Sequence, residues 1–574
     1  MRRRTFLQSS AAAAAMSAFG PALAVAKRAP DWAALRRRIG SRLIDIHSPL
    51  VECAKHHGAG ADALFAALKN PYYLSDEPSL TQTLGWVGAW TSEPSLKGVA
   101  AETAADVAAA IDFCAASGIP PVVKGGGHSY FGNSNRAGSL LIWTHRMRDI
   151  TLHDAFRPAG SRPGHAGVPA VSVGAGCRWG EVYRKVAVEN GRYAQGGGCL
   201  TVGVGGFVLG GGFGSFSKQF GTGAANLLEA EVVTADGRIR TVNAFRDPDL
   251  FFALRAGGGG TFGIVTRLTL RTHPLPSFMG AMIFDVTAHD DASWRALVDR
   301  VMAFYAERLF NPSWGEQLGF LPRRRLRITM LAQGLSKPQI DDVWAPFVAW
   351  VKDRPKAYSI DRGPLTLAMP HGQFWDPAVL RKLPGIVLPD NRPGASPDNV
   401  FWQGNLEEAG QMLYAYQSAW LPASLLQPQR RARLVDALVR ASSIWSFALH
   451  TNKGLAGGSP EALAATRETA MNPEVLDAFA LLICASNDEP AYRGIPGHEP
   501  KIDEARSDAA RVTAAMREIY KVAPGAGAYM SESDYFQRDW KRAYWGPHYP
   551  ALARAKRKYD PQWIFRGRNC VEPA

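Results

Sequence analysis

The apolar periodicity of the chain predicts a helix soon after residue 100. Apolar side chains from Val107 to Cys114 recur at helical spacing. Thr103 followed by Asp106 has the form of a capping box, which satisfies free backbone N–H groups at a helix start. Gly118 follows the last apolar position, where a glycine commonly ends a helix. We therefore expect one amphipathic helix between Thr103 and Gly118.

Short apolar runs after this helix predict strands, and longer patterns between them predict more helices. The predicted strands are Pro121–Lys124, Val171–Val173 and Ile264–Leu270, with a hairpin at 230–242 that turns at Asp236-Gly237. The further predicted helices are Arg178 to about Glu189, Pro248 to just before Gly257, Asp291–Leu309 and Pro500–Tyr520. From about Pro276 the composition changes to apolar, tryptophan-bearing segments, with an irregular Pro/Gly-rich stretch at 383–397. The chain thus mixes strands with helices, and its length is ample for two domains.

Residues 1–26 have the pattern of a twin-arginine export signal. Arg3 and Arg4 begin the basic motif, and the apolar, alanine-rich stretch from Ala11 to Phe19 is too short to span a bilayer. Small residues offer cleavage sites at Ala24 and Ala26. We expect a periplasmic or secreted protein with no membrane segment after cleavage.

Composition excludes some classes of function. The 574 residues are 46% hydrophobic and 20% charged, which is ordinary for globular domains. The formal net charge is +14, but the basic residues are scattered and follow no nucleic-acid-binding motif. The basic cluster Arg554–Lys558 is interpreted as a solvated helix face. None of the six cysteines has Cys-x-x-Cys spacing, so we expect no metal site.

Two glycine-rich stretches each carry a nucleophilic side chain. The first, 125–130, contains His128, and the second, 196–206, contains Cys199. Glycine lets a backbone approach a ligand closely and adopt positive φ. A histidine and a cysteine on two such loops indicate a cofactor gripped from both sides.

These two stretches resemble the flavin-attachment segments of the berberine bridge enzyme-like group, in the vanillyl-alcohol oxidase/p-cresol methylhydroxylase superfamily. In that family the histidine carries the flavin 8α-methyl group and the cysteine bonds ring carbon 6, so the resemblance implies FAD attached bicovalently through His128 and Cys199. Further matching segments are Gly210–Gly214, Asp249–Val265, Tyr544–Gly546 and Lys558–Pro561.

The resemblance also implies a domain organisation. It is a two-part FAD-binding domain of PCMH type with an inserted α+β substrate domain. The FAD-binding part is 96–275, preceded by its N-terminal part at 27–95, and the substrate domain is 276–515. Residues 516–574 form the C-terminal berberine bridge enzyme-like segment that completes the FAD domain. A Rossmann fold is rejected, because the formal GxGxxG string at 258–263 follows a predicted helix and opens a strand.

Matching positions give the candidate site residues. The cofactor-binding candidates are His128, Cys199, Gly125, Gly126, Gly127, Ser129, Tyr130, Val202, Gly205, Gly206, Gly263 and Val265. The family places an oxygen-gating residue three positions after the cysteine, where valine accompanies oxidase behaviour, and Val202 stands there. A C-terminal segment of the family lies over the flavin, so Tyr529 and Glu532 are the catalytic candidates for proton acceptor and substrate orienter.

The expected function is an exported FAD-dependent oxidase. It would oxidise an alcohol, hemiacetal or sugar carbon by hydride transfer to flavin N5 and reduce O2 to H2O2. The alternatives are an FAD dehydrogenase or an amine or C–C-coupling oxidase of secondary metabolism, and a flavin-binding protein that has lost catalysis. The partners are a small-molecule substrate and O2, and the sequence indicates no oligomeric state. Plant members of the family bridge two cysteines at positions like Cys53 and Cys114, which implies a disulfide here.

Overall fold

The fold is given by a computed structural model that describes residues 30–383 and 385–574, so the predicted export signal lies outside the described residues. The strands are β1 (Leu43–Ile44), β2 (Thr83–Trp86), β3 (Trp90–Thr91), β4 (Lys97–Ala100), β5 (Pro121–Lys124), β6 (Leu140–Trp143), β7 (Ile150–Phe156), β8 (Val168–Gly174), β9 (Arg192–Ala194), β10 (Leu227–Val233), β11 (Ile239–Asn243), β12 (Ile264–Pro274), β13 (Phe278–Ala288), β14 (Trp314–Leu321), β15 (Arg325–Gln333), β16 (Tyr358–Pro370), β17 (Val387–Pro389), β18 (Val400–Trp402), β19 (Gln411–Pro422), β20 (Phe447–His450) and β21 (Ala478–Asp488). The helices are α1 (Trp32–Ile39), α2 (Pro49–Lys55), α3 (Ala61–Leu68), α4 (Pro71–Asp76), α5 (Ala104–Ser117), α6 (Trp179–Tyr183), α7 (Val204–Leu209), α8 (Ser217–Phe220), α9 (Pro248–Leu254), α10 (Asp291–Phe304), α11 (Lys337–Lys352), α12 (His371–Phe374), α13 (Pro377–Leu380), α14 (Pro428–Ile444), α15 (Pro460–Arg467), α16 (Glu474–Asp477), α17 (Ile502–Tyr520), α18 (Trp540–Trp545) and α19 (Tyr549–Tyr559).

Two sheets carry the glycine-rich loops. The first has the order β1-β4-β6-β5, with β4, β6 and β5 parallel, and its core includes apolar residues of α1 and α5. The second has the order β11-β10-β12-β8-β7, with β9 also paired to β12, and all its pairings are antiparallel. The predicted helix is confirmed as α5, with its capping box between Thr103 and Asp106. The predicted strands and the hairpin are confirmed as β5, β8, β12 and β10–β11.

A third sheet of nine strands dominates the central part of the chain. Its order is β16-β13-β15-β14-β20-β21-β19-β2-β3. Even-numbered residues of β13 and β15, such as Phe284 and Ile328, pack into the same core as α10, α11, α14 and α17. Odd-numbered residues of the same strands therefore lie on the opposite face, because side chains alternate along a strand. That opposite face roofs the site described below.

The N-terminal residues contribute to this large sheet as well as to the first sheet. β2 pairs in parallel with β19, and β3 forms the edge beyond it, whereas β1 pairs with β4. All four residues of β2 are buried. The strand therefore has no alternation of apolar and polar residues from which its partner could be predicted.

The predicted disulfide between Cys53 and Cys114 is wrong for this structure, in which both thiols are free. Cys53, on α2, approaches the carbonyl oxygen of Ala59 at 3.7 Å and lies in the core of the N-terminal helices. Cys114, on α5, lies in the core of the first sheet, where burial raises its pKa to about 12. The two side chains pack in different cores, and the plant pattern does not transfer.

The described residues contain no helix long and apolar enough to cross a membrane. Within the same residues, no group of three or more His, Cys, Asp or Glu side chains is arranged to hold a metal ion.

Candidate functional site

One large cavity, of about 1170 Å³, lies between the glycine-rich loops and the odd-numbered face of the nine-stranded sheet. It collects residues from distant parts of the chain. All the candidate site residues line it: Gly125, Gly126, Gly127, His128, Ser129, Tyr130, Cys199, Val202, Gly205, Gly206, Gly263, Val265, Tyr529 and Glu532. The structure thus brings together candidate residues that are up to about 400 positions apart in the sequence.

The two glycine-rich loops touch backbone to backbone. The first leaves the end of β5, and the second connects β9 to α7. A Cβ atom on Gly126 would lie 2.6 Å from the backbone nitrogen of Gly203, and one on Gly203 would lie 2.6 Å from the nitrogen of Gly126. Gly127 has φ +76°, which side chains rarely adopt. Glycine is required at these positions, since any larger residue would separate the loops.

Thr201 joins the two nucleophilic side chains. Its Oγ1 is 3.2 Å from His128 Nε2 and 3.4 Å from Cys199 Sγ. Burial lowers the pKa of His128 to about 4, so the imidazole is neutral and keeps a free lone pair. Burial raises the pKa of Cys199 to about 11, so the thiol is protonated. Both groups line the cavity, and the shared Thr201 hydroxyl holds their side chains close together.

The cavity fits a flavin nucleotide. Its floor is formed by glycines of three separate loops, at 125–127, 203–206 and 259–263. No heavy atom lies within 4 Å of a Cβ built on Gly198 or Gly206, so the backbone there faces open space. Gly258–Gly263 follows α9 and leads into β12, as predicted, and so it lines this floor without forming a Rossmann turn.

Tyr529 and Glu532, both in the C-terminal segment, make different contacts in the cavity. The backbone N–H of Gly212 donates to the Tyr529 hydroxyl at 3.1 Å, and burial raises the pKa of this phenol well above its usual value. Tyr529 is therefore a neutral phenol, which disfavours it as a proton acceptor. Glu532 forms an ion pair with Lys453, whose side chain is 12% exposed. Glu532 is thereby fixed in position at the cavity wall.

Sequence reasoning missed two other acidic residues of the cavity. Glu316 lies on β14 with φ +75°, and it accepts hydrogen bonds from Ser215 Oγ at 2.5 Å and Asn452 Nδ2 at 3.3 Å. Burial raises its pKa. Glu408 lies just before β19, and its side chain is exposed to the open cavity. Partial loss of hydration at the cavity wall and the nearby charge of Glu532 raise its pKa to about 7. Neither residue lies in a recognisable motif, and only the positive φ of Glu316, visible in the structure, singles it out.

Lys453 and Asn452 were also missed, and a buried lysine positions them. Lys218, on α8, donates to the carbonyl oxygens of Gly454, Ala456 (2.9 Å) and Phe479 (3.3 Å). These contacts hold the turn that follows β20. Burial lowers the pKa of Lys218 to about 7, since three neutral carbonyls offset only part of the lost hydration.

The interpretation of Arg554–Lys558 as a solvated helix face is wrong for one member. Lys556 is fully buried and pairs with Asp560 at 2.7 Å. It also donates to the carbonyl oxygen of Thr261, in the glycine loop before β12. α19 therefore supports the floor of the cavity, while Arg554, Arg557 and Lys558 remain exposed.

Comparison with known proteins identifies relatives that bind FAD. A family model described as FAD binding domain matches residues 97–243, and one described as Berberine and berberine like matches residues 528–572. FAD-linked oxidoreductase easE of Aspergillus fumigatus is 31% identical over 489 residues, which are 82% of this chain and 70% of that protein.

Solved structures share the fold. The VAO-type flavoprotein MtVAO615 of Myceliophthora thermophila has a TM-score of 0.74 and 23% identity, with 94% of each chain covered. A glucooligosaccharide oxidase of Acremonium strictum, described with a 6-S-cysteinyl, 8α-N1-histidyl FAD, has a TM-score of 0.64 and 20% identity, with 84% of this chain and 92% of that one covered. The chain belongs to the berberine bridge enzyme-like FAD-linked oxidoreductases.

Proposed function

We propose that the protein is an exported oxidase whose FAD is attached bicovalently through His128 and Cys199. It oxidises an alcohol, hemiacetal or sugar carbon: the C–H hydride and the O–H proton leave, the C–O single bond becomes a double bond, and O2 takes up both electrons with two protons to give H2O2. Bound FAD supplies the hydride acceptor and the site of O2 reduction. The residues of the chain bind and orient the substrate and accept the proton.

The observation that carries the proposal is the position of Thr201. One hydroxyl lies within 3.4 Å of both His128 Nε2 and Cys199 Sγ, which holds the two nucleophilic side chains close together at the same cavity. A single attachment would need only one of them. The glucooligosaccharide oxidase described with a cysteinyl and histidyl FAD shares this fold, which supports the same pair of links here.

The charged groups support a division of roles among the carboxylates. Glu532 is held by Lys453, so we assign it to orienting the substrate hydroxyl. Glu408 lines the same cavity, and among the described residues its carboxylate interacts with neighbouring charges but accepts no hydrogen bond. A carboxylate with a pKa of about 7 suits a general base near neutral pH. We assign proton acceptance to Glu408, and Tyr529 then holds the loop at Gly212 in place.

The polar end of the cavity suits a substrate that bears hydroxyl groups. The Oδ1 atom of Asn452 is buried without a hydrogen-bond partner in the described part of the chain. Gln317 and His450, which pair with each other on neighbouring strands, line the same cavity, and burial keeps the pKa of His450 well below its usual value. These neutral hydrogen-bond donors and acceptors, which lie in one cavity, would pair with several hydroxyls of a sugar or a polyol.

The test is a turnover assay of the purified holoprotein. Peroxide is measured in air with sugars, aryl alcohols and amines, and a dye acceptor replaces O2 in a parallel series. Peroxide formed from an alcohol or sugar, with one O2 consumed per peroxide, supports the oxidase. Dye reduction without peroxide would indicate a dehydrogenase, and turnover of amines alone would indicate an amine oxidase; either result contradicts the proposal. Glu461→Gln, an exposed change on α15, is the matched control.

A further inference from the structure

Some of the exposed apolar side chains lie together at the cavity. Seven large apolar side chains are exposed in the described part of the chain: Leu96, Ile239, Phe245, Leu365, Leu367, Ile386 and Phe536. Three of them, Leu365 (40% exposed), Leu367 (36%) and Ile386 (41%), line the cavity. Contiguous apolar surface that stays exposed beside a functional cavity is typical of a binding surface.

The register of the nine-stranded sheet shows how this apolar surface continues inward. Leu365 pairs with Ile283 and Leu367 with Ala281, and these two pair in turn with Thr329 and Leu331 of β15. All six side chains lie on the cavity face, because paired residues of neighbouring strands point to the same side. Five of these six side chains are apolar, and we call the six together the apolar wing. The charged Arg362 of β16 lines the cavity beyond Leu365 and marks the end of the wing.

The same face becomes polar over the next strands. Thr329 pairs with Gln317 of β14, and Gln317 pairs with His450 of β20. Farther along, Ser418 and Tyr416 of β19 lie on this face, next to Glu532. At about 4.8 Å between strands, β13 is about 10 Å and β16 about 15 Å from β14. The roof of the cavity thus has a polar end near Glu408, Glu532 and Lys453, and an apolar wing that opens to solvent.

We propose that the substrate is amphiphilic, with a reacting alcohol, hemiacetal or sugar carbon at the polar end and an alkyl or aryl portion lying on the apolar wing. This inference rests on the proposed oxidase function, since it specifies the substrate of that same site. Ile386 and Trp402 face the wing from the 385–408 segment, so the apolar portion has walls on two sides. The Trp402 Nε1–H donates to the carbonyl oxygen of Gly198 at 2.7 Å, which fixes this segment beside Cys199.

Free oligosaccharides are poorer candidates for this roof. Their surface carries hydroxyls along its whole length, and those lying against Leu365, Leu367 and Ile283 would lose water without gaining partners. A glycoside or aryl alcohol with an apolar substituent avoids that loss and removes the three exposed side chains from water. Burial of one methylene is expected to raise affinity up to about fourfold.

The experiment compares substrates that share one reacting group and differ only in tail length. Two series are used: 4-alkylbenzyl alcohols, and 6-O-acyl glucoses that keep the hemiacetal free, each with tails of two to eight carbons. We expect kcat/KM to rise about twofold to fourfold per methylene until the tail leaves the wing. In the double variant Leu365→Ser/Leu367→Ser the rise should flatten, while Leu96→Ser, the exposed control away from the cavity, should keep the wild-type slope.

A second measurement does not depend on turnover. The methyl ethers of the benzyl alcohols have no hydroxyl proton to lose, and their binding to the holoprotein is followed by titration calorimetry. Tail-dependent binding that the double variant loses supports the inference even if every alcohol in the series is inert, in which case the proposed function alone has failed.

Two results would overturn the inference. One is binding and turnover independent of tail length in the wild type, or equally tail-dependent in the double variant. The other is a wild-type dimer in sedimentation that the double variant loses, together with binding that does not depend on tail length. Leu365, Leu367 and Ile386 would then form an interface between two copies of the chain. Unchanged melting temperatures verify that the serine variants fold, as expected for exposed positions.

Discussion

Replacing Glu408 by glutamine tests the proposed proton acceptor most sharply. Glu408 lines the cavity near the charges of Glu532 and Lys453, and its carboxylate accepts no hydrogen bond from the described residues. Glutamine keeps the shape of the side chain and removes its basicity. General-base assistance contributes about 10²–10⁴-fold, so flavin reduction by substrate should slow by that factor at pH 8.

The pH dependence of flavin reduction is a second test, in which each variant should shift the profile in a stated direction. With a pKa of about 7, Glu408 is about half ionised at pH 7 and about one-tenth ionised at pH 6. The wild-type reduction rate should therefore fall about tenfold per pH unit below 7, and Glu408→Gln should lose this acid limb. The charge of Glu532 raises the Glu408 pKa and that of Lys453 lowers it. Glu532→Gln should therefore move the limb to lower pH, and Lys453→Met to higher pH.

The assay is anaerobic stopped-flow reduction of the holoprotein, followed by flavin absorbance from pH 5 to 9. The flavin content of each variant is measured first, because a variant that lost flavin would give a false result. Glu461→Gln, exposed on α15, should match the wild type throughout. Reduction by Glu408→Gln within about threefold of wild type, with the acid limb intact, would refute the assignment. A limb that Glu532→Gln abolishes instead would transfer the role to Glu532.

Three further predictions concern other parts of the protein. Tyr529→Phe should leave the buried N–H of Gly212 without a partner and destabilise the fold by about 1–3 kcal/mol in denaturant titration; a large loss of reduction rate with no change in stability would instead support Tyr529 as the base. Val202→Leu should slow reoxidation by O2 more than reduction by substrate, because it narrows a site that must admit a diatomic molecule; equal slowing in stopped-flow would mean that Val202 is packing alone. Arg3→Lys with Arg4→Lys should retain flavin-loaded precursor in the cytoplasm, as fractionation would show, since twin-arginine recognition needs the guanidinium pair; undiminished export would indicate another route.

Local signals in the sequence predict much of the fold. The capping box at Thr103 and the periodicity that follows it locate α5, and β-branched runs locate β5, β8 and β12. These elements are predictable because their propensity, burial pattern and capping all agree. The pairing of β2 with β19 was not predictable, since parallel neighbours about 330 positions apart leave no local signal.

The candidate site also contains residues that the sequence predicts and residues that it does not. His128 and Cys199 stand in glycine loops whose backbone approach needs glycine, so the loops are visible in the sequence. Glu408, Glu316 and Lys453 come from the large sheet and its connections, where an isolated charged residue looks like any surface residue. Their roles depend on long-range register. Lys556 was misread for the same reason: helical spacing in α19 does not show that Asp560 and the glycine loop bury its ammonium.

The covalent state of the flavin tests the central claim most directly. Acid-precipitated, protease-digested protein is analysed by mass spectrometry for peptides that carry FAD or its fragments. The account predicts one flavin that cross-links the peptide containing His128 to the peptide containing Cys199. His128→Ala and Cys199→Ala should each leave a single link, and the double variant none. Release of all flavin from the denatured wild-type protein, or a flavin attached to any other residue, would contradict the account.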